Sequence, residues 1–218
     1  MSEPKIQAQL GDALIQAITD FARSDIGAVA QIQDQVFSHV AGSRLRRSLA
    51  TTLYGSRWLY KLGLALVVDG DESLAHIRIQ LIDYGAICEA LLKDVLAVPI
   101  AFSLCVGTYW KHSKRQGTGS LLDWKRKDTL SKRTFEWLID VVVDERIVAP
   151  EVGTRLHALR DARNSVHITK LANSDLVYAR HEAKEGFALV LEISKLTKRW
   201  KSQHRPPKSH RSQASRPT

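Results

Sequence analysis

This sequence predicts an all-α fold, and three observations carry the prediction. Apolar residues recur at three- and four-residue intervals along most of the chain. The most regular run is Ile77, Leu81, Tyr84, Cys88, Leu91, Val95 and Val98. No segment shows a convincing two-residue alternation of the kind that marks a half-buried strand. The periodic segments are separated by residues that start and stop helices, such as Gly42-Ser43, Ala149-Pro150 and Asn173-Ser174-Asp175.

Taken in order, residues 4–22 carry Ile6, Leu10, Ala13, Leu14, Ala17, Ile18 and Phe21 at helical spacing, with Pro4 in the first turn. Ser24 is placed to cap a second helix bearing Ile26, Val29, Ile32, Val36, Phe37 and Val40. A third helix is expected from Ser43 to Val68, with Gly55 and Gly63 either permitting close packing or marking a bend. The turn Asp69–Ser73 closes this N-terminal section. The fourth helix has the widest apolar stripe, with Ile82, Ile87 and Leu92 beside the main run, so it is expected at the centre. Asp83 and Glu89 lie near that stripe, as solvated or ion-paired groups or as partners for an arginine elsewhere. Pro99 is expected to break this helix.

The stretch Ile100–Trp110 reads equally as a short strand, a helical turn or a buried loop. A basic, Gly-containing segment follows, with Trp110 and Trp124 at its edges. Aromatic rings beside Lys and Arg stack nucleobases, although edge-of-core packing is the plainer reading of both. Ser131 is placed to cap a helix with Phe135, Leu138, Ile139, Val142 and Val143. Pro150 then opens a helix with Leu156, Leu159, Ala162 and Val166 as its stripe. A last helix runs to about Trp200 on Ala183, Phe187, Val190, Ile193 and Leu196. Residues 201–218 have no apolar periodicity and are expected to be a disordered basic tail.

The 218 residues suffice for one domain with an extension, and the apolar fraction of 44% is that of a globular protein. The N-terminus is polar and lacks the apolar core of a signal peptide. The nearest approach to a membrane span, Leu59–Val68, is short and carries Lys61. Cys88 and Cys105 form no CxxC pair and sit among apolar residues, which reads as reduced thiols of a cytoplasmic protein with no membrane partner. The net charge of +9 is unevenly placed: residues 193–218 hold eight Lys/Arg and no acid, and residues 111–133 hold eight against Asp123 and Asp128. Clusters of this kind suit phosphate polyanions, and Lys125, Arg126, Lys127, Lys198 and Arg199 are the candidate RNA contacts.

The convergent polar chemistry lies on the helix that begins at Pro150. Arg160, Arg163, Asn164 and His167 are spaced by threes, fours and sevens, so they fall on neighbouring positions of one face. A phosphate-sized group could meet two guanidinium groups, a carboxamide and an imidazole there. Arg grips phosphate bidentately. Asn donates to a phosphate oxygen or fixes a tautomer, and His moves protons near neutrality. RNA carries its own nucleophile, the 2′-hydroxyl, so His and Arg form a minimal kit for cleaving it without a metal or other cofactor.

That string, together with DYGAICEALLKDVL, a basic insertion, FEWLIDVVV and a closing helix, resembles the HEPN superfamily over about residues 74–200. The resemblance implies an up-and-down four-helix bundle (74–200, insertion 111–131) behind an N-terminal helical extension (1–70). It implies a metal-independent endoribonuclease of bacterial defence or toxin–antitoxin systems. It also implies a homodimer whose Arg–His motifs share one cleft, with an antitoxin or defence-system partner. His167 is then the acid/base residue, and Arg163 and Asn164 bind phosphate. The family leaves four to six residues between Arg and His; three intervene from Arg163 and six from Arg160, so both arginines stand as candidates. Thr169 occupies the place where toxins paired with a nucleotidyltransferase carry tyrosine. Some members are non-catalytic scaffolds, so an RNA- or protein-binding module is the alternative.

Other chemistries fit less well. His157 and Asp161 are four apart but join no further ligand cluster, and pair more simply with each other at the surface. Residues 117–120, GTGS, lack the lysine of a phosphate-binding loop, and no GxSxG elbow occurs.

Overall fold

A computed structural model of the chain describes residues 10–102, 130–165 and 180–204. Among these residues the chain forms seven α-helices and no strand: α1 (Asp12–Arg23), α2 (Val29–Gln35), α3 (Ser43–Ala65), α4 (Gly70–Phe102), α5 (Phe135–Asp144), α6 (Pro150–Ser165) and α7 (Arg180–Gln203). No described helix is long and apolar enough to cross a membrane.

The helix with the most regular apolar run in the sequence, Ile77 to Val98, lies at the centre. At 33 residues α4 is about 50 Å long. It packs against α3, α5, α6 and α7, while α5 also packs on α6. Ile77, Leu81, Tyr84, Ile87, Cys88, Leu91, Leu92, Val95 and Leu96 are all buried. Ile82 is not part of that stripe. It is 38% exposed, because burial follows the neighbours α4 actually has and not a uniform widening of the apolar face.

The helix also continues through Pro99 to Phe102 instead of stopping. Proline removes one N–H donor and crowds the preceding turn, at about 3 kcal/mol in a helix interior. Here it falls in the last helical turn, and Val95, Leu96 and Ile100 around it are buried in the core. Hydrophobic burial of about 1.5–3 kcal/mol per large side chain offsets the loss.

The first three helices form a layer on this centre. α1 and α2 pack on α3, and α3 packs on α4. The turn after α2 reaches further: Phe37 and Val40 are fully buried, and the Ser194 hydroxyl of α7 donates to the Val36 carbonyl. α1 is thinly covered: its Leu14 and Phe21 are 48% and 43% exposed, and Leu10 just before it is 45% exposed.

Two expected caps are reassigned. Ser24 ends α1, its hydroxyl donating to the Phe21 carbonyl at 2.7 Å, and α2 is instead opened by the Gln31 side chain accepting from the Ala28 N–H at 2.8 Å. Thr134, not Ser131, caps α5, accepting from the Trp137 N–H at 3.3 Å.

α5 and α6 cross closely because Gly153 has no side chain. A Cβ built there lies 2.6 Å from Val143 Cγ2. Gly153→Ala gains up to about 1 kcal/mol of helix propensity. The overpacking costs about 1–3 kcal/mol, so a net loss of stability is expected in urea melts. An unchanged or raised midpoint rules out this packing of α5 against α6.

Candidate functional site

Three helices converge on one open groove of about 510 Å³. α6 supplies Arg160, Arg163 and Asn164. α4 supplies Ile82 and Glu89, and the start of α5 supplies Thr134, Phe135 and Glu136. The spacing on α6 thus delivers its three described polar residues to one wall, as the helical repeat requires. The N-terminal end of α5 adds the positive end of a helix dipole. His167 lies outside the described residues, as do Lys125, Arg126 and Lys127.

The two arginines are held differently. Arg163 Nη1 bonds Glu89 Oε2 at 2.6 Å, and the same carboxylate takes Lys93 Nζ at 2.7 Å. Burial opposes charge on Glu89, but the hydrogen bonds from Lys93 and Arg163 outweigh it and hold the carboxyl below its ordinary range. Room for the Arg163 stem comes from Gly85, one helical turn before Glu89. A Cβ at Gly85 lies 2.8 Å from Arg163 Cδ. Asp83, the other acid of α4 considered as an arginine partner, takes no arginine of α6. It accepts from the Ser56 hydroxyl of α3, and burial raises its carboxyl above the usual value.

Arg160 sits in a wider network. Its Nε and Nη2 reach Asp161 Oδ1 at 3.0 and 2.7 Å, and its Nη1 reaches Glu136 Oε1 at 3.2 Å. Partial burial works against its charge, but Asp161 and Glu136 outweigh it and raise its pKa. Nη1 also lies 3.2 Å from His157 Nδ1, and His157 Nε2 lies 3.1 Å from Asp140 Oδ1. His157 therefore pairs with Asp140 of α5, not with Asp161. A partner on a neighbouring helix has displaced the local one. Among the described residues no three His, Cys, Asp or Glu side chains gather as metal ligands.

Cys88 is fully buried, and burial pushes its thiol well up, so it offers no nucleophile.

Lys198 and Arg199 are exposed near the end of α7. Lys198 lines a separate depression with Ser38, His39, Ala41, Val98, Lys201, Ser202 and His204, and none of these borders the arginine groove. Lys201 bonds Asp94 of α4, and His39 Nε2 lies 2.9 Å from Thr197 Oγ1. Burial first, then the neighbouring Lys201, lowers the His39 pKa from 6.5 to about 4.

Sequence reasoning had little hold on Glu136, Thr134, Phe135, Asp140 and His157 as site neighbours. All but His157, which lies one turn before Arg160 on α6, relate to it across helices. Gly85, in the interior of α4, is the local signal of a close approach. Comparison with family models, with characterised proteins and with solved structures yields no match.

Two measurements follow from this geometry. Glu89→Gln leaves Arg163 without its carboxylate and is expected to cost about 1–3 kcal/mol in urea unfolding. Much of that loss should vanish in an Arg163→Gln background, and simple additivity of the two substitutions contradicts the pair.

For His39, the folded pKa lies below the unfolded one. Its stabilising contribution is therefore complete above about pH 6.5 and is lost as pH falls from 6.5 towards 4. Thermal melts of wild type should decline over that window more than those of His39→Gln. Parallel declines dismiss His39 as the titrating group.

Proposed function

We propose that this chain is a metal-independent endoribonuclease of the HEPN type, cleaving RNA through its 2′-hydroxyl in bacterial defence or a toxin–antitoxin context. The supporting observation is the groove in which Arg160, Arg163 and Asn164 share a wall beside the start of α5. Two guanidinium groups, a carboxamide and a helix N-terminus are all complementary to a phosphodiester.

The division of labour follows from exposure. Glu136 and Asp161 are 62% and 65% exposed, and such ion pairs contribute about 0–1 kcal/mol each. A phosphate can displace them from Arg160 at little cost. Arg163 is bound to a mostly buried Glu89 and keeps that partner. Arg160 is then the arginine that takes up phosphate, and Arg163 with Asn164 shapes the wall. His167 serves as the acid/base residue: it takes the 2′-hydroxyl proton as the 2′-oxygen bonds phosphorus, the guanidinium stabilises charge building on the phosphorus oxygens, and the proton passes to the 5′-oxygen as its bond to phosphorus breaks, leaving a 2′,3′-cyclic phosphate and a 5′-hydroxyl. A homodimer with a shared cleft, under the control of an antitoxin or defence partner, belongs to the same reading.

One observation favours a second reading, a non-catalytic RNA- or protein-binding helical module. Both arginines are already matched to carboxylates, as in a structural motif. The two readings part in one assay. Purified protein is incubated with total tRNA in excess EDTA, beside His167→Ala. Nuclease action predicts cleavage by wild type and a loss of at least about a hundredfold in the variant. Equal cleavage, or none from either, would falsify the nuclease reading. Salt-dependent RNA binding that survives His167→Ala without cleavage supports the binding module.

A further inference from the structure

The Asp140–His157–Arg160 chain lies beside the groove, and its hydrogen bonds fix its internal chemistry. A guanidinium only donates, so at 3.2 Å from Arg160 Nη1 the His157 Nδ1 must accept. The proton of the neutral ring is then on Nε2, which donates to Asp140 Oδ1 at 3.1 Å. Asp140 is on α5, and His157 and Arg160 are one turn apart on α6. The chain thus runs from a carboxylate anchored on a neighbouring helix, through an imidazole of defined tautomer, to a guanidinium at the groove wall.

We propose that Asp140 and His157 are positioning residues that hold Arg160 towards the groove when a phosphate replaces its other partners. The inference rests on the reading of the groove as a phosphodiester site.

The other contacts of Arg160 are poorly suited to that task. Asp161 is its sequence neighbour and Glu136 is at the groove edge, and both are mostly exposed. Both are anions, so a bound phosphate competes with them for the same donors. His157 does not compete. It is uncharged in this tautomer, approaches Nη1 from within α6, and is tied in place by Asp140. An anion can take the donors that Asp161 and Glu136 release while the bond to His157 remains. Orientation before binding lowers the entropy lost on binding, which is how such a residue contributes without touching ligand.

The test uses the full chain and a fluorescent, 2′-O-methylated ten-nucleotide RNA, which binds but cannot be cleaved through its 2′-oxygen. His157→Ala and Asp140→Ala are each expected to weaken binding, by roughly tenfold for the first and less for the second. In an Arg160→Ala background neither should have further effect. Undiminished loss in that background, or no loss in the presence of Arg160, overturns the proposal.

Nitrogen chemical shifts of the His157 ring, measured without RNA, keep this separate from the nuclease reading. They should show a proton on Nε2 and an accepting Nδ1. A proton on Nδ1 overturns the proposal whatever RNA does. If the shifts are as expected but wild type binds no RNA, the phosphodiester reading of the groove fails, and the positioning role fails with it. Circular dichroism and melting temperature of each variant separate a lost fold from a lost contact.

Discussion

Burying α4 is the constraint on which the rest of the structure depends. A helix surrounded by α3, α5, α6 and α7 must be apolar over most of its surface, yet this one carries Asp83, Glu89 and Asp94. A carboxylate removed from water is costly unless it is hydrogen-bonded or paired. Each of these acids finds a partner on a different neighbour: Ser56 on α3, Arg163 on α6 and Lys201 on α7. The hydrophobic stripe holds the helices together without direction. The three polar contacts have direction, and sliding α3, α6 or α7 along α4 by one turn would break its bond.

The candidate site grows out of this arrangement. Arg163 reaches Glu89 because Gly85 leaves space for its stem, so the central helix both supports and partly neutralises the groove. Arg160 on the same wall reaches Glu136 at the start of α5 and, on its own helix, Asp161 and the tethered His157. Two arginines three residues apart on one helix thereby acquire different roles. One is committed to a mostly buried pair, and the other is held by partners that solvent and ligands can replace.

The N-terminal layer packs on α4 through α3. A second link to the bundle is the turn after α2, where Phe37 and Val40 enter the core and the Val36 carbonyl and His39 ring meet α7. That seam lies beside Lys198 and Lys201, not beside the arginine groove. The basic residues at the end of α7 therefore do not share the groove of Arg160 and Arg163. They surround a histidine whose burial keeps it neutral.

The sequence by itself determined the helical class, the central place of α4 and the shared face of Arg160, Arg163 and Asn164. All three follow from the 3.6-residue repeat, a local property of the chain. It also marked Glu89 as an acid near a buried stripe, which needs a partner. What it could not supply was the identity of partners across helices. Ser56 rather than an arginine for Asp83, Asp140 rather than Asp161 for His157, and Thr134 rather than Ser131 as a cap all depend on which side chains or turns come together in space. The passage of α4 through Pro99 has the same origin: local propensity opposes it, and burial of Val95, Leu96 and Ile100 decides it. Only the tertiary structure sets those distances, because packing brings together residues that periodicity places on a face but does not pair.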